Sequence, residues 1–102
     1  MTRSEMLTRL RALDVEEVSL RQELGISRPN EVLFLAPGCG LSEETIVVEA
    51  NGFGGARTSV VEGNYPIDFF AKYEKEFSAE AEAVNAAERL VRRPFEADLI
   101  LT

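Results

Sequence analysis

The chain has 102 residues, of which 18 are acidic and 11 basic, so its net charge at neutral pH is −7. This length predicts a single domain over residues 1–102, and a hydrophobic content of 45% is typical of a soluble, folded protein. Phosphate backbones and anionic membranes repel such a charge, so neither nucleic acid nor a membrane is expected as a partner. A single cysteine excludes an internal disulfide, and no apolar run approaches the roughly 18 residues of a membrane span. These features predict a cytoplasmic protein.

Residues 4–24 have the apolar spacing of a first helix, with Ser4 as a candidate N-cap and Gly25 as a helix-ending glycine. A heptad pattern runs along this helix with one interruption, at Glu17. The apolar residues of the pattern are Met6, Leu10, Leu13, Leu20 and Leu24. Asp14 followed three positions later by Glu17 has capping-box spacing, so one continuous helix and a kinked pair both fit. The apolar residues suit either packing on the domain's own sheet or a short coiled coil.

Three β-strands are predicted in the middle of the chain. Residues 31–36 form a short apolar run closed by Pro37, which predicts a central strand covered on both faces. Residues 45–50 and 57–62 are rich in β-branched side chains and flank the glycine-rich segment 51–55. This arrangement predicts a β-hairpin.

The longest predicted element is an amphipathic helix over residues 65–93. Its apolar residues recur every three or four positions, Pro66 suits the first turn, and Pro94 ends the helix. Residues 95–102 then alternate between apolar and largely polar side chains, which predicts a C-terminal strand. The predicted order is α-β-β-β-α-β, an α+β domain whose N-terminal helix and long amphipathic helix pack on a small antiparallel-rich sheet.

Candidate catalytic and metal-binding residues are few. Cys39 lies between two glycines, but the chain has no histidine to activate a thiol, and nearby acidic residues would raise its pKa. We therefore interpret Cys39 as a small turn residue. Without histidine a zinc site is not expected, and the acidic residues lack the spacing of a calcium loop. Segment 51–55 has no phosphate-binding spacing, so the sequence predicts no enzyme activity, no cofactor, no metal and no small-molecule substrate.

Residues 19–29 resemble the middle of a helix-turn-helix motif, in which a helix ends in Leu-Gly-Ile-Ser. The segment that would form the recognition helix, residues 29–35, is acidic and apolar and carries no basic residue to contact bases or phosphates. DNA binding is therefore not expected.

The predicted function is a non-enzymatic protein-interaction or assembly module that forms a homodimer, because the two helices present more apolar surface than one small domain covers. The alternative is a small acidic adaptor, inhibitor or chaperone that binds a basic protein. Phe53, held between glycines at a loop tip, is a candidate contact anchor. The other candidate contact residues lie on the two helical stripes: Leu10, Leu13, Leu20, Phe77 and Val84.

Overall fold

The computed structural model of the protein describes residues 1–38 and 43–102. In chain order its elements are α1 (Arg3–Leu24), β1 (Val32–Pro37), β2 (Glu44–Ala50), β3 (Ala56–Asn64), β4 (Asp68–Phe77), α2 (Glu80–Arg92), a 3-10 turn (Pro94–Glu96) and α3 (Ala97–Ile100). The α+β class and the antiparallel sheet expected from the sequence are confirmed. The order of elements differs from the prediction in the second half of the chain.

The strands form an antiparallel meander in the order β1-β2-β3-β4. The β2–β3 hairpin was predicted and is confirmed. In the described sheet β1 pairs with β2 alone, so the prediction of a central strand covered on both faces is wrong. Its apolar run divides between the two faces: Leu33 and Phe34 pack against the core, whereas Leu35 is 58% exposed. A continuous apolar run therefore overstated how much of this strand is buried.

The hydrophobic core lies between one face of the sheet and α2. Alternate residues of β2 and β3 point to this face, among them Val48, Thr58 and Val60. The buried residues of α2 are Ala83, Ala86, Ala87 and Leu90. These mostly small side chains let the helix lie close to the sheet, and the Thr58 hydroxyl donates a 2.8 Å hydrogen bond to the carbonyl oxygen of Ala83.

The long helix predicted over residues 65–93 is wrong in its first half, because residues 68–77 form β4 and the helix begins at Glu80. The aromatic residues of this segment fit helical spacing, but aromatic residues also favour strands. Pairing with β3 decides between the two states. β3 is largely buried, so its backbone groups need hydrogen-bonding partners on both sides, and β4 supplies the second set.

The C-terminal strand predicted over residues 95–102 is also wrong, because the chain forms a 3-10 turn and α3 there. The buried residues of this segment are Ala97, Ile100 and Leu101, whose spacing of three and four places them on one side of a helical turn. Phe95 and Leu99 are 95% and 72% exposed. The apolar residues of this segment therefore fit both an alternating strand pattern and a helical pattern. Contact with α2 favours the helix.

α1 is one continuous helix, which resolves the alternatives of a straight helix and a kinked pair. Thr2 caps it in place of Ser4, since the Thr2 hydroxyl accepts a 3.1 Å hydrogen bond from the N–H of Glu5. Gly25 ends it in the left-handed conformation, with φ at 68°, as expected for a helix-ending glycine. All 22 residues of α1 belong to the described part of the chain, and none of them is buried.

Candidate interaction surface

An apolar stripe on α1 faces solvent. We call it the α1 seam, and its residues are Met6, Leu10, Leu13, Leu20 and Leu24, each between 47% and 72% exposed. A helix of 22 residues is about 33 Å long. Helices in proteins gain most of their stability from packing an apolar face against another element. Within the described chain the α1 seam lacks such packing, and its apolar side chains face solvent.

Arg21 fastens the C-terminal end of α1 to the rest of the domain. Its Nε donates to the Glu17 carboxylate at 2.9 Å. A terminal nitrogen of the same guanidinium donates to the carbonyl oxygens of Ser27 and Gly52 at 3.1 and 3.0 Å. At 3.6 residues per turn, Arg21 lies roughly 60–90° around the helix from the centre of the α1 seam. The attachment therefore orients α1 and leaves the leucines exposed.

The linker after α1 is held to α2 by one carboxylate. Glu80, in the first turn of α2, accepts hydrogen bonds from the Ser27 N–H at 3.1 Å and from the Ser27 hydroxyl at 2.9 Å. We call this contact the Glu80–Ser27 clasp. A weaker ion pair joins Arg28 of the linker to Asp14 of α1 at 3.6 Å. The clasp joins residues 53 apart in the chain, and no local sequence pattern indicates it.

Phe53, the candidate contact anchor, is 90% exposed at the tip of the β2–β3 hairpin. The loop that carries it is closed by Asn51, whose side-chain oxygen accepts hydrogen bonds from the N–H groups of Phe53 and Gly55 at 2.7 and 3.2 Å. The ring adds little to the core, as the flanking glycines indicated. Its role as a contact anchor stays a prediction.

Phe77 and Val84 are placed differently from the other candidate contact residues. Both are partly buried and pack against the core. Phe77 lies opposite Ala56 at the end of β4, and the ammonium nitrogen of Lys75 lies 5.2 Å from the centre of its ring. Of the candidate contact residues, the exposed set is therefore Phe53 with the leucines of the α1 seam.

The sheet face opposite α2 carries a contact between a tyrosine and a glutamate. The Tyr65 hydroxyl donates to Glu49 at 3.4 Å, and the Tyr65 ring centre lies 4.9 Å from that of Phe69. Burial, followed by the negative charge of Glu49 and the hydrogen bond to it, raises the pKa of Tyr65 above its ordinary value of 10. Val47 and Val61 on this face are each 2% exposed. This face is thus covered in part and carries a titratable contact.

A small pocket of about 190 Å³ lies between the sheet and the C-terminal helices, with Val60 and Leu90 among its apolar lining residues. At this pocket Lys72 and Glu44 form an ion pair at 2.7 Å. Hydrogen bonding and attraction to Glu44 raise the pKa of Lys72 above its ordinary value of 10.5, at which a lysine is already protonated at neutral pH. A protonated, paired lysine is a poor nucleophile and a poor base. The pocket is also smaller than the roughly 300–1,000 Å³ of common ligand sites.

Cys39, the candidate thiol, lies outside the described residues. Residues 1–38 and 43–102 contain no group of three or more acidic or cysteine side chains arranged to hold a metal ion. In the same described ranges, no helix has the length and apolar character needed to cross a membrane. Comparison with protein-family models, with curated proteins and with solved structures finds no match to this chain.

Proposed function

We propose that the protein is a non-enzymatic interaction module that self-associates through the α1 seam. One observation carries the proposal: an apolar stripe runs along a 22-residue helix that, in the described structure, buries none of its residues. Exposed apolar patches of this kind commonly mark interaction sites. A second copy of the chain presents the same stripe, and heptad spacing is what two helices need in order to interdigitate.

The C-terminal helices are less suited to this role. α2 uses its apolar side chains inside the domain, where Ala83, Ala87 and Leu90 are at most 1% exposed. Because most apolar residues of α2 are buried and those of α1 are not, α1 is the better candidate of the two helices.

The test is the mass in solution, measured by light scattering after size-exclusion chromatography at two salt concentrations. We expect a dimer at both, because apolar contacts are weakly affected by ionic screening. Leu10→Glu places a charge on the α1 seam and should produce a monomer, since an unpaired charge is costly to remove from water. Val15→Glu is the matched control, because the exposure of Val15, 68%, is close to the 63% of Leu10, and Val15 lies on the opposite side of α1.

The control variant should remain a dimer. A monomeric native chain would contradict the proposal, and so would a Leu10→Glu variant that keeps the native mass. Loss of the dimer in both variants would point to a general effect of added negative charge and not to the seam.

A second candidate function is that of an acidic adaptor, inhibitor or chaperone for a basic protein. It is favoured by the net charge of −7 and by the sheet face opposite α2, where Glu49, Glu74 and Glu76 lie with Arg57. An electrostatically steered complex should weaken sharply between low and high salt. A native monomer that binds a basic protein at low salt and releases it at high salt would favour this candidate over self-association.

A further inference from the structure

We infer that two copies of the chain pair through α1 in antiparallel orientation, about a twofold axis near Val15. This inference rests on the proposed function and adds the orientation and the register of the pair. The two domains would then lie at opposite ends of the paired helices, because each is attached at the C-terminal end of its own α1.

The two halves of α1 carry opposite charge. The first half, residues 3–13, holds three arginines and one glutamate, a net charge of +2. The second half, residues 14–24, holds four acidic residues and one arginine, a net charge of −3. An antiparallel pair places each half beside the oppositely charged half of the partner, whereas a parallel pair places like charges together. Complementary charge of this kind sets the orientation of paired helices.

The heptad positions of α1, which are those of the α1 seam and of Glu17 at its interruption, are symmetric about residue 15. The pairs at equal distances from Val15 are Met6 and Leu24, Leu10 and Leu20, and Leu13 and Glu17. In the antiparallel pair the two members of each set meet across the interface, so Glu17 faces Leu13 of the partner subunit. In a parallel pair the two Glu17 carboxylates would meet each other in an apolar layer, where desolvation makes like charges costly. The register therefore favours the antiparallel pair.

Charged residues beside the seam define one specific contact. In this register Arg9 lies across from Glu23 of the partner subunit, and the twofold axis produces the contact twice. Asp14 and Glu16 each approach their own counterpart near the axis, which is unfavourable. For Asp14 this repulsion is reduced by Arg28 of the same chain, 3.6 Å away. The Arg9–Glu23 contact is thus the one to test.

The parallel alternative has flanking contacts of its own. There Arg9 would lie near Asp14 of the partner subunit, and Glu16 near Arg21 of the partner subunit. However, Arg21 is already bound within its own chain, where it donates to the carbonyl oxygen of Gly52 at 3.0 Å. In a parallel pair Arg21 would therefore either lose its hydrogen bond to Gly52 or fail to contact Glu16 of the partner subunit.

The test uses Arg9→Glu and Glu23→Arg, each studied alone and then as an equal mixture. Alone, each variant turns two attractive contacts into two repulsive ones, so we expect the dimer Kd to rise about tenfold, as measured by sedimentation equilibrium. In a mixed dimer every charge at these positions meets an opposite charge, so mixing should restore near-native affinity. Arg11→Glu is the matched control: it makes the same change in charge on the outer side of α1 and should have little effect.

Each outcome decides something different. Recovery on mixing supports the antiparallel pair. A native dimer whose single variants bind as tightly as the native chain, or do not recover on mixing, overturns the antiparallel orientation and leaves self-association standing. A monomeric native chain overturns both the orientation and the proposed function.

Discussion

Replacing Glu80 with alanine removes both acceptors of the Glu80–Ser27 clasp, so we expect the free energy of unfolding to fall. The two donors of Ser27 lie 3.1 and 2.9 Å from the carboxylate oxygens. A hydrogen bond to a charged group contributes about 1.5–3 kcal/mol. Both residues are only half-buried, and water replaces part of the lost interaction. The expected loss from the clasp is therefore about 1–2 kcal/mol in total.

Glu80 also lies at the start of α2, where a negative charge stabilises the helix by about 0.3–1 kcal/mol. Glu82→Ala is the control for this contribution, because Glu82 is an exposed acidic residue in the same turn. The difference in the free energy of unfolding between the two variants measures the contribution of the clasp alone and should be at least about 1 kcal/mol. For a domain of this size that corresponds to a Tm lower by about 4–8 °C.

The assay is equilibrium urea unfolding followed by circular dichroism, with an unchanged slope of stability against urea as the check on two-state behaviour. Equal losses in Glu80→Ala and Glu82→Ala, within about 0.3 kcal/mol, would refute the reasoning. They would mean that the charge at the helix start matters and that the hydrogen bonds to Ser27 contribute nothing.

Three further changes test other contacts. Thr58→Val should lower the free energy of unfolding by about 1 kcal/mol, because it removes the buried 2.8 Å hydrogen bond to Ala83; an unchanged urea midpoint would contradict this. The raised pKa of Tyr65, caused by burial and by Glu49, means that the folded chain keeps this proton above pH 10 where the unfolded chain loses it, so stability should fall as the pH rises above 10. Tyr65→Phe should remove the part of this loss of stability that Tyr65 causes. Identical profiles of stability against pH in the native and variant chains would contradict this prediction. Phe53→Ser should change stability by less than about 0.5 kcal/mol, because the ring is 90% exposed, and a larger loss on urea unfolding would show that the ring packs after all.

The first helix and the β2–β3 hairpin were predictable because their signals are local. Gly25 ends α1 in a conformation that glycine adopts readily. Asn51 closes the hairpin loop through hydrogen bonds to residues two and four positions later. Each of these signals lies at the helix end or turn that it forms, so the position of that boundary can be predicted from the sequence.

The second half of the chain was mispredicted because its local signals fit two structures. Residues 68–77 have aromatic side chains at helical spacing, yet they form β4 because β3 requires a second neighbour. The start of α2 has no side-chain cap: its N-cap is Ala79, which makes no such hydrogen bond. No strong local signal therefore marked the boundary between β4 and α2. Tertiary packing decides that residues 68–77 form a strand and not a helix, and local sequence patterns carry little information about such packing.

The sequence predicted one part of the candidate interaction surface and missed another. Heptad spacing identified Leu10, Leu13 and Leu20, and these residues are more than half exposed. The attachment of α1 could not be anticipated, because Arg21 reaches Gly52 across 31 positions of the chain. The spacing of the leucines is a property of α1 alone, whereas the direction in which they face depends on how the domain holds the helix.

The domain and α1 therefore depend on different sources of stability. The sheet and α2 enclose a core of buried aliphatic side chains, so the chain itself supplies their stabilisation. α1 has end caps, the Arg21 attachment near its C-terminal end and the ion pair between Asp14 and Arg28, but its seam is not packed within the described structure. In proteins most of the stability of a helix comes from packing an apolar face, not from intrinsic helix propensity. Under the proposed function the missing stabilisation comes from the second copy, so formation of the helix and pairing of the chains are linked by mass action. A change on the α1 seam would then weaken both together, while the sheet and α2 keep their own core.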